Sequence, residues 1–449
     1  MRVGRNVAWN VAEALVTSLV LFILYRTILH QLGVAAMGIW ALVVSATAVG
    51  RVGDLGVTGG LARFVAMKQA DATHASSVDQ PEPDGAAMLY VETALAMNTA
   101  LYVCLGTLIY WPAWWALGWA THGAATHAAR ELLIYAIAAF VLQAVSGVLI
   151  SALIGAHRSD RKSMVMLGAT ALQCVVALAL IGPLNLVGLA LAQICQYLVM
   201  IIASWILLCR ILDGRWGGAL PYRFDRVVLK ELFGFGLRMQ ALSLSTILYE
   251  PAVKFVLSTT LGVSVLGLYE LASRATLQLR ALILAPSQNL TPLMTAEIHR
   301  HGLGVGINAL YRKAERLMVT IGTVAMVGLA VGSPILSLIW FGKIDWMFVT
   351  ISALICGGWM VNIWAVPAYY LGIASGELRW NIIGGLFTMT FSPIVAWLLS
   401  CNFGAVGSVI GVMIGVAGGA AITAVANRTM VKRRYDRPEA TSVPDVHAT

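Results

Sequence analysis

LGVAAMGIWALVVSATAVGRVGDLGVTGGLAR, residues 32–63, is the stretch that indicates the fold of this protein. Arg51 and Asp54 lie within this otherwise apolar run. A charged pair is costly in hydrocarbon, so we expect both side chains to face a protein interior or a water-filled cavity. The stretch therefore predicts a membrane-spanning segment with one face turned toward the inside of the protein.

The same stretch recurs once, 229 residues later in the chain. The matching pieces are Leu32-Gly33-Val34 with Leu261-Gly262-Val263, and Gly38-Ile39-Trp40-Ala41-Leu42 with Gly267-Leu268-Tyr269-Glu270-Leu271. The same offset places Arg51 on Arg280. Two copies of one unit, each with an arginine at the same depth, predict two halves that face one cavity.

The composition is that of a membrane protein. Of the 449 residues, 59% are hydrophobic and 11% are charged, and the mean hydropathy is +0.81. Soluble domains carry about 25% charged residues. We therefore predict an all-α integral membrane protein. The six cysteines lie in or beside apolar runs without a C-x-x-C pair, so neither a disulfide framework nor a zinc site is expected.

Twelve stretches are long and apolar enough to span a bilayer, which takes about 20 residues. The predicted spans are 10–29, 37–62, 87–110, 131–153, 164–182, 187–209, 232–258, 265–288, 314–338, 347–372, 380–399 and 405–427. Because each half has six spans, both halves enter from the same side, as parallel repeats do. We expect a first lobe at 1–212, a cytoplasmic linker at 213–230, a second lobe at 231–435 and a disordered tail at 436–449.

Glycines recur at every fourth residue in the last predicted span, at Gly407, Gly411, Gly415 and Gly419. They line one face of a helix, and such a ridge lets another helix approach closely. Because a twelve-helix protein offers many internal partners, we expect this ridge to pack within the bundle in preference to forming a dimer.

Basic residues are concentrated on one side of the predicted topology. Of the 30 Lys and Arg residues, 22 fall in the loops and termini of that side, and the other side has only Arg130 and Lys343. Positively charged loops stay in the cytoplasm, so both termini are predicted to be cytoplasmic. The net charge of +9 therefore follows from membrane topology and does not indicate nucleic-acid binding.

Eleven charged residues fall within predicted spans: Glu13, Arg26, Arg51, Asp54, Glu92, Arg238, Glu250, Lys254, Glu270, Arg274 and Arg280. Three pairs have helical spacing and are candidates for structural ion pairs: Arg51 with Asp54, Glu250 with Lys254, and Glu270 with Arg274. Glu13 and Arg26 lie near span ends, where their side chains can extend to the membrane interface.

Arg238 and Arg280 are left without a local partner. An unpaired arginine in a membrane span needs a partner on another helix or an anionic ligand. Arginine suits phosphate because its planar guanidinium makes bidentate hydrogen bonds and keeps its charge. Arg51, Arg238 and Arg280 are therefore candidate ligand-binding residues, with a purely structural role as the alternative for each.

Motifs of nucleotide binding and of membrane enzymes are not found. The pattern G-x-x-x-x-G-K-[ST] does not occur, and Gly302, Gly304 and Gly306 do not follow a strand. No large extracytoplasmic loop carries paired carboxylates. Direct ATP-driven transport and glycosyltransferase or polymerase activity are therefore disfavoured, and we expect a protein that is not an enzyme and needs no metal or cofactor.

Several residues resemble one family of membrane proteins. Leu32-Gly33 with Gly38, and above all Asp54-Leu55-Gly56-Val57 followed by Arg63, resemble the Wzx-type oligosaccharide flippases. That family lies within the multidrug/oligosaccharidyl-lipid/polysaccharide exporter superfamily, which also includes the lipid II flippases and the MATE drug exporters. The arrangement of twelve helices in two six-helix lobes around a central cavity matches over the whole chain.

The resemblance implies a function in polysaccharide, exopolysaccharide or lipopolysaccharide biosynthesis. Such proteins move an undecaprenyl-pyrophosphate-linked oligosaccharide from the cytoplasmic to the periplasmic leaflet of the bacterial inner membrane by alternating access. The implied partners are this lipid-linked oligosaccharide, membrane lipids, and polysaccharide polymerase or other assembly proteins. The candidate substrate-binding residues are Arg26, Arg51, Arg238, Lys254, Arg274 and Arg280, of which all but Arg26 are carried over from the family by position.

Two alternatives stay open at this point. Asp54, Glu250 and Glu270 offset much of the positive charge and, with Glu13, are candidate charge partners or coupling residues. They favour a MATE-like, cation-coupled exporter of small molecules. A membrane scaffold in a polysaccharide assembly complex is the other alternative. The charges that face the cavity discriminate between the transporters, because arginines favour the flippase and acidic residues favour the cation exporter.

Overall fold

The computed structural model describes residues 2–54, 57–75, 86–212, 223–284, 287, 290–301 and 305–435. Within these ranges the protein is helical and has no strand. The α-helices are α1 (Arg2–Gln31), α2 (Gly33–Ala48), α3 (Val57–Ala75), α4 (Ala86–Ala120), α5 (Ala124–Gly155), α6 (Ser159–Leu212), α7 (Arg226–Leu261), α8 (Val263–Leu284), α9 (Leu290–His301), α10 (Val305–Phe341), α11 (Trp346–Ala374) and α12 (Arg379–Tyr435). A 3-10 helix (Val49–Asp54) follows α2. Seven helical stretches in the described part are long and apolar enough to cross a membrane.

Two of the helices are hairpins. Helices α6 and α12 contain 54 and 57 residues, more than twice the length that a bilayer needs. Each reverses at one residue with positive φ, Asn185 in α6 and Gly404 in α12. A Cβ atom on Gly188 would collide with the carbonyl group of Leu180. In an unbroken helix these two positions would be about 12 Å apart, so the chain reverses between them. Each hairpin therefore supplies two crossing limbs.

The glycine ridge of α12 packs inside its own hairpin, as predicted. A Cβ atom on any ridge glycine would collide with the first limb of α12 or with the reversal, and the blocking residues are Leu399, Ala396, Ser392 and Gly384. The small residues thus bring two antiparallel limbs into backbone contact.

The described helices provide twelve crossing segments in two pseudo-symmetric lobes of six, which confirms the predicted fold class. The first lobe comprises α1 to α6 and the second comprises α7 to α12, with α2 and α3 forming one crossing segment and α8 and α9 another. Helix α7 begins at Arg226, within the predicted linker, where the Asp225 side chain accepts hydrogen bonds from Val227 N and Val228 N. Residues 213–222 and 436–449, which contain most of the predicted linker and the tail, lie outside the described residues.

The second predicted span, 37–62, is not one continuous α-helix. Helix α2 ends at Ala48, the 3-10 helix occupies the next six residues, and α3 begins at Val57. This region contains Gly50, Gly53 and Gly56, and each glycine disfavours an α-helix by about 1 kcal/mol relative to alanine. The charged part of the span therefore lies in the interruption.

The repeat extends well beyond the sequence match. Residues with positive φ in the described ranges form four pairs: Gly33 with Gly262, Gly123 with Gly342, His157 with Gly376, and Asn185 with Gly404. The first pair is 229 residues apart and the other three pairs are 219 residues apart. The chain thus breaks at equivalent points in both lobes, and the second lobe is ten residues shorter between the first two of these points.

The lobes meet through a symmetric contact between α2 and α8. A Cβ atom on Gly38 would collide with the carbonyl group of Val263, and one on Gly267 would collide with that of Val34. Gly38 and Gly267 are equivalent in the repeat, and so are Val34 and Val263. The contact of Gly38 with Val263 is therefore the counterpart of the contact of Gly267 with Val34, which is the pattern of a two-fold contact. The pseudo-two-fold axis of the protein therefore passes between α2 and α8.

Further contacts join the lobes on the same side of the membrane. We call this side the turn face, because it carries the turns at Gly33 and Gly262, and the side on which α1 begins the N-terminal face. Ser258 Oγ at the end of α7 donates to the carbonyl oxygen of Ala120 at the end of α4, over 2.7 Å. Trp340 of α10 packs against Phe22 and Tyr25 of α1. These contacts join the lobes at the turn face, and the Tyr90 hydroxyl of α4 also joins them near the N-terminal face, where it donates to Glu231 Oε2 of α7 over 2.6 Å.

Candidate functional site

Four charged side chains of α7 and α8 form one network. Lys254 Nζ lies 2.6 Å from Glu250 Oε1 and 2.8 Å from Glu270 Oε2. Arg274 Nε lies 2.7 Å from Glu270 Oε1, and Arg274 Nη2 lies 3.6 Å from Glu250 Oε1. Each carboxylate contacts both cations, so the network is closed and its formal charges cancel.

The network has a buried half and an accessible half. The side chains of Lys254 and Glu270 are 2% and 3% exposed, whereas those of Glu250 and Arg274 are 48% and 36% exposed. Such burial is tolerated because each buried charge has an oppositely charged partner. Two of the three ion pairs predicted from helical spacing, Glu250–Lys254 and Glu270–Arg274, are confirmed, and the Lys254–Glu270 contact between α7 and α8 connects them.

The network breaks the symmetry of the lobes. At the 229-residue offset, its four members correspond to Leu21, Tyr25, Ala41 and Ser45 in the first lobe. None of these side chains carries a charge at neutral pH. Tyr25 lies on α1, which packs against α8 beside the network.

Arg280 of α8 has a different environment. Its Nε and Nη2 atoms both donate to Asn362 Oδ1 of α11, over 3.2 and 2.9 Å, and its guanidinium carbon lies 4.9 Å from the centre of a Trp359 ring. Among the side chains that the structure describes, no carboxylate forms an ion pair with Arg280. The prediction that Arg280 has no local charge partner agrees with this arrangement.

Arg280 lines a cavity of about 330 Å³ within the second lobe, formed by α7, α8, α11 and both limbs of α12. We call it the second-lobe cavity. Its aromatic and polar lining residues are Tyr249, Trp359, Tyr369, Tyr370, Asn362, Asn381, Thr388 and Thr423. Arg280 is the one ionic group among the described lining residues. A cation surrounded by aromatic rings and neutral hydrogen-bonding groups suits an anionic ligand that also carries hydroxyl groups.

Arg51 has the equivalent arrangement in the first lobe. It lies in the 3-10 helix, is exposed, and donates from Nη2 to Gln143 Oε1 of α5 over 3.1 Å. Gln143 and Asn362 are 219 residues apart, which is the offset of this part of the repeat. In each lobe, therefore, an arginine of the second crossing segment donates to a carboxamide of the fourth.

The remaining predicted site residues lie away from the charged network and the two arginine–carboxamide pairs, or their side chains are not among those that the structure describes. The side chains of Asp54 and Arg238 lie outside the described residues. Arg26 is exposed near the turn-face end of α1. Within the described side chains, no group of three or more His, Cys, Asp or Glu could hold a metal ion.

Two acidic residues of the first lobe bind bases near the N-terminal face. Glu13 of α1 accepts from Lys162 Nζ over 2.7 Å and from Ser163 Oγ over 2.6 Å, both at the start of α6. The Glu13 carboxylate is therefore satisfied within the protein by a basic side chain and a hydroxyl group of α6, partners that the sequence did not predict. Glu92 of α4 binds Arg223, which precedes α7, over 2.8 Å.

The carboxamides Gln143 and Asn362 were not predicted from the sequence. A repeat search at one offset cannot match them, because the offset falls from 229 to 219 between the second and fourth crossing segments. A search that allowed one gap of ten residues could have aligned them. The aromatic lining of the second-lobe cavity carries no such signal, because aromatic residues are common throughout membrane helices.

The chain shares its fold with solved membrane transporters. An inward-facing structure of a multidrug resistance MATE family transporter of the MOP superfamily aligns with 92% of this chain and 98% of that chain, with a TM-score of 0.71 and 17% identity. An outward-facing structure of such a transporter aligns with 95% of this chain and 96% of that chain, with a TM-score of 0.60 and 17% identity. A MOP superfamily transporter from Pyrococcus furiosus, described as having a binding pocket of reverse polarity, covers 95% of this chain and 93% of its own, with a TM-score of 0.58 and 15% identity. These structural alignments establish a common fold.

The sequence also identifies the family. The profile of the family described as "polysaccharide biosynthesis protein" matches residues 3–297. The chain therefore belongs to the polysaccharide biosynthesis protein family, and the resemblance to the exporter superfamily is confirmed. No curated protein sequence matches the chain at a significant level.

Proposed function

We propose that this protein flips an undecaprenyl-pyrophosphate-linked oligosaccharide from the cytoplasmic to the periplasmic leaflet of the bacterial inner membrane. The observation that carries the proposal is the second-lobe cavity, where Arg280 lies among aromatic and neutral polar side chains without a carboxylate partner in the described residues. Membership of the polysaccharide biosynthesis family supports the class of substrate. The transporter fold supports movement across the membrane.

Arg280 is suited to hold the pyrophosphate group. A guanidinium has five N–H donors, and the Asn362 carboxamide takes two of them, from Nε and Nη2. The remaining donors can bind phosphate oxygens, and a neutral carboxamide leaves the positive charge of the arginine intact. A partly buried cation of this kind is stabilised by an anionic ligand, which supplies the missing counter-charge. Arg51 makes the corresponding bond to Gln143 in the first lobe.

The second-lobe cavity accommodates part of such a substrate. A water molecule occupies about 30 Å³ in the liquid, so a cavity of about 330 Å³ has the volume of roughly eleven waters. This is room for a pyrophosphate and an adjoining sugar, and the rest of the oligosaccharide extends between the lobes. The Tyr369 and Tyr370 rings offer apolar faces for a sugar, and the amide of Asn381 can bond its hydroxyl groups.

A separate apolar cavity suits the lipid part of the substrate. It has a volume of about 520 Å³ and lies between α2 and α4 of the first lobe and α7 and α12 of the second. Its described lining is apolar except for Ser45 and includes Pro112, Pro251 and Phe255. A charged headgroup needs a polar path, whereas the isoprenoid chain is stable in apolar surroundings.

We infer that transport proceeds by alternating access, and the lobe contacts at the turn face support this inference. With the N-terminal face in the cytoplasm, as the distribution of basic residues predicts, the turn face is periplasmic and closed in this conformation. Release to the periplasm then requires the Gly38–Gly267 contact to separate. Lys254 and Arg274 are engaged by Glu250 and Glu270 in this state, so they reach the substrate only if the network rearranges.

A cation-coupled exporter of small molecules is the second candidate. The observation that favours it is the exposure of Glu250, whose carboxylate is accessible while Glu270 lies buried beside it. In that function, Lys254 and Arg274 would be displaced by the transported or coupling cation. The carboxylates would then be the primary site and Arg280 would be dispensable.

The lipid-linked intermediate pool of cells that lack this gene tests the proposal. The complementing alleles are wild type, Arg51→Ala, Arg280→Ala and, as a control on the N-terminal face, Arg158→Ala, each checked for abundance in the membrane. We expect an undecaprenyl-linked oligosaccharide to accumulate, and wild type and Arg158→Ala to clear it, whereas the other two alleles do not. Sensitivity to cationic compounds without an accumulated intermediate would favour the exporter instead.

A further inference from the structure

A basic groove runs along the start of α10, on the N-terminal face. It has a volume of about 780 Å³ and contains Arg312, Lys313 and Arg316, followed along the helix by Leu317 and Ile321. All five side chains are exposed. These residues recur at the spacing of one helix face, so the groove changes from basic to apolar along a single surface.

The three cations have no acidic partner among the described side chains. Glu315 is their neighbour in sequence, but it points to another side of α10. Its Oε1 atom accepts from the Tyr311 hydroxyl over 3.2 Å and lies 3.4 Å from Nη1 of Arg428 on α12. The groove therefore has a net positive charge that the adjacent carboxylate does not neutralise.

The surface beyond the groove faces lipid. The exposed apolar side chains of α10 continue along the same face through Val324, Val331 and Ile335, of which Val331 is 74% exposed. A continuous apolar surface of this kind on a membrane-spanning helix contacts hydrocarbon. The basic residues at its end then lie at the level of the lipid headgroups.

The basic groove is specific to the second lobe. At the 219-residue offset, Arg312, Lys313 and Arg316 correspond to Thr93, Ala94 and Met97 of α4. The fold itself therefore does not require bases at these positions. A general excess of positive charge on one face of the membrane also does not require three adjacent cations without an acidic partner among the described side chains.

We propose that the basic groove is a binding site for an anionic phospholipid. Arg312, Lys313 and Arg316 bind the phosphate of the headgroup, and an acyl chain lies along Leu317 and Ile321. Arginine and lysine near an anionic membrane surface each contribute about fivefold to binding, the equivalent of about 1 kcal/mol. This site is distinct from the second-lobe cavity and does not depend on the substrate proposed above.

Titration of the purified full-length protein in detergent, followed by native mass spectrometry, tests this site. The probes are phosphatidylglycerol and phosphatidylcholine with the same acyl chains. The variant is R312Q/K313Q/R316Q, and the control is R158Q/R161Q/K230Q, which removes three other exposed bases on the same face. We expect one phosphatidylglycerol to bind to wild type and to the control, with affinities within twofold, and to bind about a hundredfold more weakly to the variant.

Three results would overturn the proposal: equal binding of both lipids, equal losses in the variant and the control, or displacement of the lipid by millimolar inorganic phosphate. The last result would indicate a site for a free anion. Should the triple variant fail to fold, the single variants R312Q, K313Q and R316Q replace it, because each changes one exposed side chain. Each is expected to weaken phosphatidylglycerol binding about fivefold, and unchanged binding in all three would also contradict the site.

Discussion

Arg51 and Arg280 occupy equivalent positions in the two lobes, and each donates a hydrogen bond to a carboxamide of the fourth crossing segment. A carboxamide fixes the direction of a guanidinium without cancelling its charge. In the second lobe the protein thus orients Arg280 with a carboxamide, whereas it neutralises Lys254 and Arg274 with two carboxylates. For this reason we assign the anionic part of the substrate to Arg280 in preference to Lys254 and Arg274.

Asn362→Asp should abolish this function while preserving the shape of the site. The new carboxylate would lie about 3 Å from the Arg280 guanidinium and neutralise it, so both this variant and Arg280→Gln should accumulate lipid-linked intermediate. Asn362→Ala keeps the charge and should retain more activity than Asn362→Asp. Clearance of the intermediate by Asn362→Asp at the wild-type rate, at normal membrane abundance, would argue against an anion at Arg280.

Lys254→Met should destabilise the protein strongly. Lys254 is almost completely buried between Glu250 and Glu270, and removal of one partner from a buried ion pair costs about 3–5 kcal/mol. The double variant Lys254→Met/Glu270→Gln should recover part of this loss, because it leaves less uncompensated charge. Unfolding free energies measured in mixed micelles test both statements.

Lys343→Met is the control for that measurement, because Lys343 is exposed in the turn after α10 and an exposed substitution changes stability by about 0.5 kcal/mol or less. If Lys254→Met is no more destabilising than Lys343→Met, the network does not stabilise the fold in the way described.

A disulfide between Ala120→Cys and Ser258→Cys should lock the lobes together at the turn face. The Ser258 hydroxyl lies 2.7 Å from the Ala120 carbonyl oxygen, so the ends of α4 and α7 are close in this conformation. In a protein whose exposed Cys104 and Cys401 are replaced by serine, oxidation should stop transport and a reductant should restore it. Each single cysteine variant serves as a control. Continued transport by the cross-linked protein would contradict alternating access at this face.

Glu13→Gln should affect stability and leave the ion dependence of transport unchanged. Glu13 is bound by Lys162 and Ser163, and hydrogen bonds to a charged group contribute about 1.5–3 kcal/mol. We expect a loss of unfolding free energy near this range, since the pair is largely buried. A shift in the requirement for protons or sodium, measured in the same variant, would instead favour a coupling role for Glu13.

Much of the architecture could be predicted because local patterns determine it. The apolar runs predicted the crossing segments, and the Leu-Gly-Val repeat marked two turns whose glycines, Gly33 and Gly262, have φ values of 80° and 82°. The spacing of Glu250 and Lys254 predicted an ion pair because one turn of helix brings them together.

Contacts between helices could not be predicted in the same way. The Lys254–Glu270 contact depends on how α7 packs against α8, and no spacing along one helix encodes it. The bond from Arg280 to Asn362 joins residues 82 positions apart. The 3-10 helix around Arg51 was missed because hydrophobicity indicates that a segment crosses the membrane and does not show where its helix is interrupted.

Reconstituted transport tests the central claim most directly. The protein would be incorporated into liposomes that carry a fluorescent undecaprenyl-pyrophosphate-linked oligosaccharide, and its movement between leaflets would be followed with a membrane-impermeant quencher. If Arg280 holds the pyrophosphate, Arg280→Gln should slow movement at least tenfold, since a charge-assisted hydrogen bond contributes about 1.5–3 kcal/mol, while Arg158→Gln should match wild type. Equal rates for Arg280→Gln and wild type would contradict the account.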